Sequence, residues 1–157
     1  AVRIGLTMEL SDEIIINAPK EQVYAALNNP EILKQCIPGC EELIKHSDTE
    51  LEAKVVLKVG PVKAKFSGDV QLDTAGAPDA FSLTGQGNGG AAGYAKGGAD
   101  VTLTTDGGTT ILRYKAKADI GGKLAQLGSR LIQGTAKKLA AKFFKSFADA
   151  VNDGTVA

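Results

Sequence analysis

The sequence is poor in the residues that most directly reveal a function. It has no tryptophan, one histidine, one methionine and two cysteines in 157 residues. Two cysteines do not build a disulfide scaffold. Cys36, Cys40 and His46 are its only soft-metal ligands, and their C-x3-C-x5-H spacing lacks the fourth member of a closed zinc site. The cysteines are therefore expected to be buried structural thiols, with no metal site. A Ser-His-Asp triad would have to use His46, and no G-x-S-x-G nucleophile elbow is present. There is no excess of either charge, with 18 basic and 18 acidic residues, which argues against a general nucleic-acid binder. No apolar run reaches the ~20 residues of a membrane span. No signal-peptide pattern opens the chain, so a cytoplasmic protein is expected.

What is present is a long alternation of apolar and polar residues. Glu9–Ile16 reads as a first strand. Met8 is the sole methionine, so Ala1–Thr7 reads as a tag or upstream extension, and one domain is expected over residues 8–152. Asn17-Ala18-Pro19 opens a helix to about Leu27, with Asn17 or Ala18 at the cap, and Asn28-Asn29-Pro30 stops it. A second short helix, Pro30–Cys36, ends at Ile37-Pro38-Gly39. From Cys40 to Ile120 the period is two. Val62, Ala64, Phe66, Gly68, Val70 and Leu72 alternate with Lys63, Lys65, Ser67, Asp69, Gln71 and Asp73, the mark of an antiparallel sheet with one face buried and one wet. Strands follow at about Phe81–Asn88, Gly93–Thr105 and Thr109–Ile120, the last two joined by the hairpin turn Asp106-Gly107-Gly108. A helical segment, Gly121–Val151, closes the chain. Leu124, Leu127 and Leu131 cluster on one side of it. Beyond Gly134 the apolar side carries Ala136, Leu139, Ala140, Phe143, Phe144, Phe147 and Val151, displaced by about 120°. A bend or break near Gln133-Gly134 is predicted. Strand, two short helices, six strands and a long helix make an α+β two-layer domain, with the last helix over the inner face.

The inner face is short of side chains. Tight turns near Gly60, Gly90 and Gly107 set an approximate register. One row then reads Ala53, Gly68, Gly85, Gly97, Ala118. The next reads Val55, Phe66, Gly87, Ala95, Ile120. Leu51, Val70, Leu83, Ala99 and Ala116 lie on the other side. Two readings are open. The glycines let the sheet curl, or let the helix sit close to its backbone. Alternatively they leave an apolar cavity between sheet and helix. These five strands put no charged residue inward, and Tyr114 is their one inward ionisable group. General acid–base catalysis has little to work with there. The expected ligand-binding set is Gly68, Gly85, Gly87, Gly97, Ala118 and Phe66 as floor, Tyr114, the lid Leu131, Leu139 and Phe143, and the mouth at Pro38-Gly39. Gly85-Gln86-Gly87-Asn88-Gly89-Gly90 is not a nucleotide loop, since it lies within a hairpin. No acidic residue occurs from Ile120 to Ala148, whereas Lys123, Arg130, Lys137, Lys138, Lys142 and Lys145 do. That is a solvated helix face, or a surface for anionic lipid or an acidic partner.

Ile37-Pro38-Gly39-Cys40, Val59-Gly60-Pro61-Val62, Gly121-Gly122-Lys123-Leu124-Ala125, Leu127-Gly128-Ser129-Arg130-Leu131-Ile132 and Phe143-Phe144 resemble the carbon monoxide dehydrogenase G-subunit family. The resemblance covers the chain from about Met8 to Val151. It implies a helix-grip fold of the START and pollen-allergen type: a seven-stranded antiparallel sheet wrapped around a long C-terminal helix, with two short helices after strand 1 and an apolar ligand cavity. It further implies a non-catalytic accessory protein of a molybdenum hydroxylase system, with no cofactor of its own. A quinone or lipid is the implied ligand. Peripheral contact with the inner face of the cell membrane is an implied role. Two alternatives stand beside this: an interaction protein that recruits a dehydrogenase complex to the membrane through the basic helix face, and, less favoured, a polyketide-cyclase-like enzyme on the same fold, which would need Tyr114 or His46 in the cavity.

Overall fold

The computed structural model describes residues 5–152. Their elements run β1 (Gly5–Ile16), α1 (Lys20–Leu27), α2 (Pro30–Cys36), β2 (Cys40–Ser47), β3 (Glu50–Val59), β4 (Val62–Asp73), β5 (Ala80–Asn88), a 3-10 turn (Gly90–Ala92), β6 (Tyr94–Asp106), β7 (Thr109–Gly121), α3 (Lys123–Gln126) and α4 (Ser129–Asn152). The seven strands form one antiparallel sheet in the order β1-β7-β6-β5-β4-β3-β2. This is the α+β layering expected from the sequence. β1 begins four residues earlier than expected: Gly5, Leu6 and Thr7 pair with Gly121, Ile120 and Asp119 of β7. Those three residues, set aside in the sequence reading, belong to the sheet; Ala1–Ile4 lie outside the described residues.

Local chemistry accounts for most element ends. The Asn29 side chain accepts hydrogen bonds from the backbone N–H of Glu31 at 3.0 Å and of Ile32 at 3.4 Å, and Pro30 occupies the first helical position, so α2 starts with both of its preferred residues. The cap of α1 differs from expectation. It is Pro19, with no side-chain hydrogen bond; Asn17 instead donates its backbone N–H to Asn152 at the end of α4. Buried Thr110 donates to the Ala18 carbonyl at 2.6 Å, fixing the β1–α1 corner against β7.

Of the bend or break expected near Gln133-Gly134, a break does not occur there. α4 is helical through Gly134, and the break lies six residues earlier, at Gly128, where φ is +93°. A left-handed φ is cheap only for glycine and ends α3, whereas a glycine inside a helix only weakens it by about 1 kcal/mol. The displaced leucines follow from this. Leu124 and Leu127 belong to α3 and its corner, not to one face of a long helix.

The inner face is packed at both ends and hollow between. At one end Ile16, Val23, Ala26, Cys36, Leu103, Leu112, Phe147 and Val151 form a cluster joining α1, α2 and the C-terminal half of α4 to the β6–β7 hairpin. At the other, Val59, Ile120, Leu124, Ala125 and Ile132 join α3 and the start of α4 to the β3–β4 turn. The rows of small residues lie between these clusters.

Candidate ligand cavity

The observed register gives two rows across the middle of the sheet. One is Ala53, Gly68, Gly87, Ala95, Ile120; the other is Leu51, Val70, Gly85, Gly97, Ala118, Met8. The pairings β3–β4, β5–β6 and β6–β7 agree with the expected rows. β4–β5 is shifted by two residues, pairing Gly68 with Gly87 rather than Gly85. That junction is the one where the loop, residues 74–79, is not a tight turn, so nothing local pinned the register. A shift of two preserves which face each residue uses, so the same small residues still face inward.

Between these rows and α4 lies a cavity of about 660 Å³. Its floor includes Ala53, Val55, Phe66, Gly68, Val70, Leu83, Gly85, Gly87, Ala95, Gly97, Ala99, Ala116 and Ala118; its roof is Ile132, Thr135, Ala136, Leu139, Ala140, Phe143 and Phe144 of α4, with Leu124 of α3. Met8 and Leu10 close the β1 side, and Ile37-Pro38 forms part of the rim. The rim loop is held to β3 by the Val56 N–H, which donates to the Gly39 carbonyl at 2.9 Å. Asp69, Gln86, Lys96 and Lys117 border the cavity from outward positions of their strands and are exposed.

Of the expected residues, Gly68, Gly85, Gly87, Gly97, Tyr114, Ala118, Pro38, Phe66, Leu139 and Phe143 line this space, and Leu131 and the Gly39 of the expected mouth do not. Leu131 is 37% exposed and covers the β3–β4 turn, where a Cβ on Gly60 would lie 2.7 Å from its Cδ2. The break at Gly128, rather than at Gly134, sets the rotation of α4 and puts Ile132 over the cavity instead. Sequence reasoning missed Met8, Leu10, Ile132, Thr135 and Ala136, although the apolar alternation of β1 signalled the first two.

The glycines divide between the two readings. A Cβ on Gly97 would lie 2.1 Å from the Lys117 carbonyl oxygen, and one on Gly85 would lie 3.0 Å from the Asp69 carbonyl oxygen. At these positions the backbones of neighbouring strands crowd together, as curling requires. Gly87 differs, since a Cβ there would meet nothing within 4 Å. Its missing side chain leaves open space.

Polar groups are few. Tyr114 stacks on Phe144 with ring centroids 5.2 Å apart, and its hydroxyl has no hydrogen-bond partner among the described residues. Burial, with the charge of Asp12 adding to it, pushes that hydroxyl above the ordinary tyrosine value. Asp12 is a finding of the structure. β1 pairs with β7, and Asp12 sits opposite Tyr114, so this one strand beyond the five brings a carboxylate to an inward, exposed position. His46 is remote from the cavity: it lies on β2, 3.7 Å from Glu52 across the β2–β3 pair. Cys36 is buried and Cys40 half-buried, both thiols pushed up by burial. No cluster of potential metal ligands occurs among the described residues.

On the far side, α4 presents Arg130, Lys137, Lys138, Lys142 and Lys145 to solvent. Lys145 pairs with Asp149 at 3.3 Å; the other four have no carboxylate partner among the described residues. No helix among the described residues is long and apolar enough to cross a membrane.

A seven-stranded antiparallel sheet covered by one long C-terminal helix over a hollow defines a helix-grip, START-like fold. Over residues 13–152 the sequence matches the carbon monoxide dehydrogenase G-subunit family (CoxG), and the chain belongs to that family. A conserved protein from Geobacillus kaustophilus is similar along nearly its whole length, at 28% identity and a TM-score of 0.85, covering 94% of this chain and 96% of that one. A START superfamily protein from Mycobacterium smegmatis shares the fold at 12% identity and a TM-score of 0.71, over 92% of this chain and 97% of that one. So does the Zhui aromatase/cyclase from Streptomyces sp. R1128, at 11% identity and a TM-score of 0.67, over 94% of both chains. No protein with a curated description matches.

Proposed function

We propose that this chain is a non-catalytic accessory protein of a carbon monoxide dehydrogenase-type molybdenum hydroxylase system, and that its cavity carries a hydrophobic molecule, a quinone or a lipid tail. The observation that carries this reading is the apolar hollow of about 660 Å³ held open in the middle of an otherwise packed core, with Gly87 facing empty space. The hollow is partly open to solvent, so without a ligand its apolar lining stays in water. Filling it returns about 25 cal/mol for each Å² of apolar surface buried. The lining supports carriage over catalysis, because it offers a phenol and the Thr135 hydroxyl, while the inward carboxylate of Asp12 is exposed and outside the lining. Titration with a decyl-substituted benzoquinone, followed by tyrosine fluorescence and calorimetry, tests the reading. Saturable one-to-one binding with a negative heat-capacity change is expected. Absence of binding up to the solubility limit would overturn it.

A second reading concerns the outer face of α4. Its exposed cations span about 22 Å at 1.5 Å per residue, and each is worth about 1 kcal/mol near an anionic membrane. Peripheral contact with anionic lipid would place the cavity beside a source of hydrophobic ligand. Replacing Lys137, Lys138 and Lys142 by Glu should lower partition onto phosphatidylserine vesicles at least a hundredfold at low salt. Wild-type protein that ignores such vesicles would end this reading and leave the cavity untouched.

A further inference from the structure

Resting on the proposal that the cavity carries an apolar ligand, we propose that it selects ligands headed by an uncharged hydrogen-bond acceptor, a carbonyl oxygen above all, which the Tyr114 hydroxyl holds, and that it turns away free fatty acids. Tyr114 lines the cavity with its ring fixed against Phe144, while its hydroxyl lacks a partner among the described residues. The hydroxyl is not sealed off from solvent, so water serves it in the empty cavity and a ligand atom that displaces that water must supply the hydrogen bond instead. The neighbouring carboxylate decides which kind. Asp12 stands opposite Tyr114 in the β1–β7 register and on the same face of the sheet. Its Oδ1 accepts from the Glu13 N–H at 2.8 Å, so that oxygen is already engaged and stays on the β1 side. The phenol is held protonated by burial and by this charge, so it reaches a ligand as a donor. An incoming carboxylate would meet a like charge at Asp12. Among the described residues no cation compensates, since the lysines bordering the cavity, Lys96 and Lys117, occupy outward positions. An ion buried without a partner is strongly disfavoured. A ketone, ester or quinone oxygen carries no such penalty and gains the hydrogen bond.

Three ligands of equal chain length separate the terms: 2-dodecanone, dodecane and dodecanoate, each competing with the uncharged fluorophore N-phenyl-1-naphthylamine. Dodecanoate should bind at least tenfold more weakly than the ketone. Tyr114→Phe, checked for an unchanged melting midpoint, should weaken the ketone about fivefold, the loss of one neutral hydrogen bond, and leave the alkane unmoved. Asp12→Asn should improve dodecanoate alone. A ketone affinity unchanged by Tyr114→Phe, or dodecanoate binding as well as the ketone, would overturn the selection while leaving the cavity as a carrier. Failure of the fluorophore and all three ligands to bind would instead overturn the carrier reading, and this inference with it.

Discussion

Gly87→Leu and Gly97→Ala are both glycine substitutions on the inner face, and the structure assigns them opposite consequences. A side chain at Gly87 enters open space, since nothing lies within 4 Å of the position its Cβ would take. A leucine there adds four carbons to the cavity and displaces about as many from any ligand. At about 0.8 kcal/mol per buried methylene the loss is about 3 kcal/mol, or roughly 150-fold in Kd. Stability should hold or rise, because a glycine within a strand forfeits about 0.5–1 kcal/mol. At Gly97 a mere methyl would sit 2.1 Å from the Lys117 carbonyl oxygen and 2.7 Å from the Ala118 Cα. Backbone must move, at about 1–3 kcal/mol for an overpacked site. For a domain of this size that is roughly 3–10 °C in Tm. Competitive displacement of N-phenyl-1-naphthylamine reads the first effect and calorimetric melting the second. Undiminished ligand binding by a folded Gly87→Leu variant would refute the assignment of the cavity as the binding site. A Gly97→Ala protein as stable as wild type would refute the account of why the sheet curls there.

Other predictions follow from the packed ends of the molecule. Phe147 is fully buried against Phe143, so Phe147→Ala should cost about 3–5 kcal/mol in urea unfolding, and a loss under 1 kcal/mol would contradict its place in the core. Burial lifts the Cys36 thiol above 9.0, and burial plus Asp12 lifts the Tyr114 hydroxyl above 10.0. Both groups hold their protons more tightly folded than unfolded. The stability they contribute is therefore full below those ordinary values and is lost as pH rises through the raised ones. Urea midpoints should fall between about pH 9 and 11, with a shallower fall in Cys36→Ala and in Tyr114→Phe. A midpoint independent of pH across that window would contradict it.

Much of the architecture was legible because β-strands and helices impose fixed periods. The alternation from Val62 to Leu72 assigned a face to every residue of β4, and Phe143, Phe147 and Val151 marked the buried side of α4. Register was legible only where a tight turn fixed it, which is why the β4–β5 pairing came out two residues away. The position of the helix break was not legible, because a glycine in a helix and a glycine ending one look alike in sequence. Gly128 proves to be the terminator through its positive φ, and with it Leu131 leaves the cavity and Ile132 enters. Asp12 was hidden for another reason. Its neighbour Tyr114 is about a hundred residues away, and no hairpin joins β1 to β7. The sequence alone also left the small residues with two meanings. Sterics resolved them residue by residue, crowding at Gly97 and emptiness at Gly87.

The most direct test of the carrier account is organic extraction of the natively purified protein, followed by mass spectrometry and quantification per chain. The account predicts a hydrophobic, carbonyl-bearing molecule approaching one per chain in the wild type and largely missing from Gly87→Leu. Matching extracts from the two proteins, or a wild type that holds no such molecule and takes up none on incubation with the decyl benzoquinone, would contradict it.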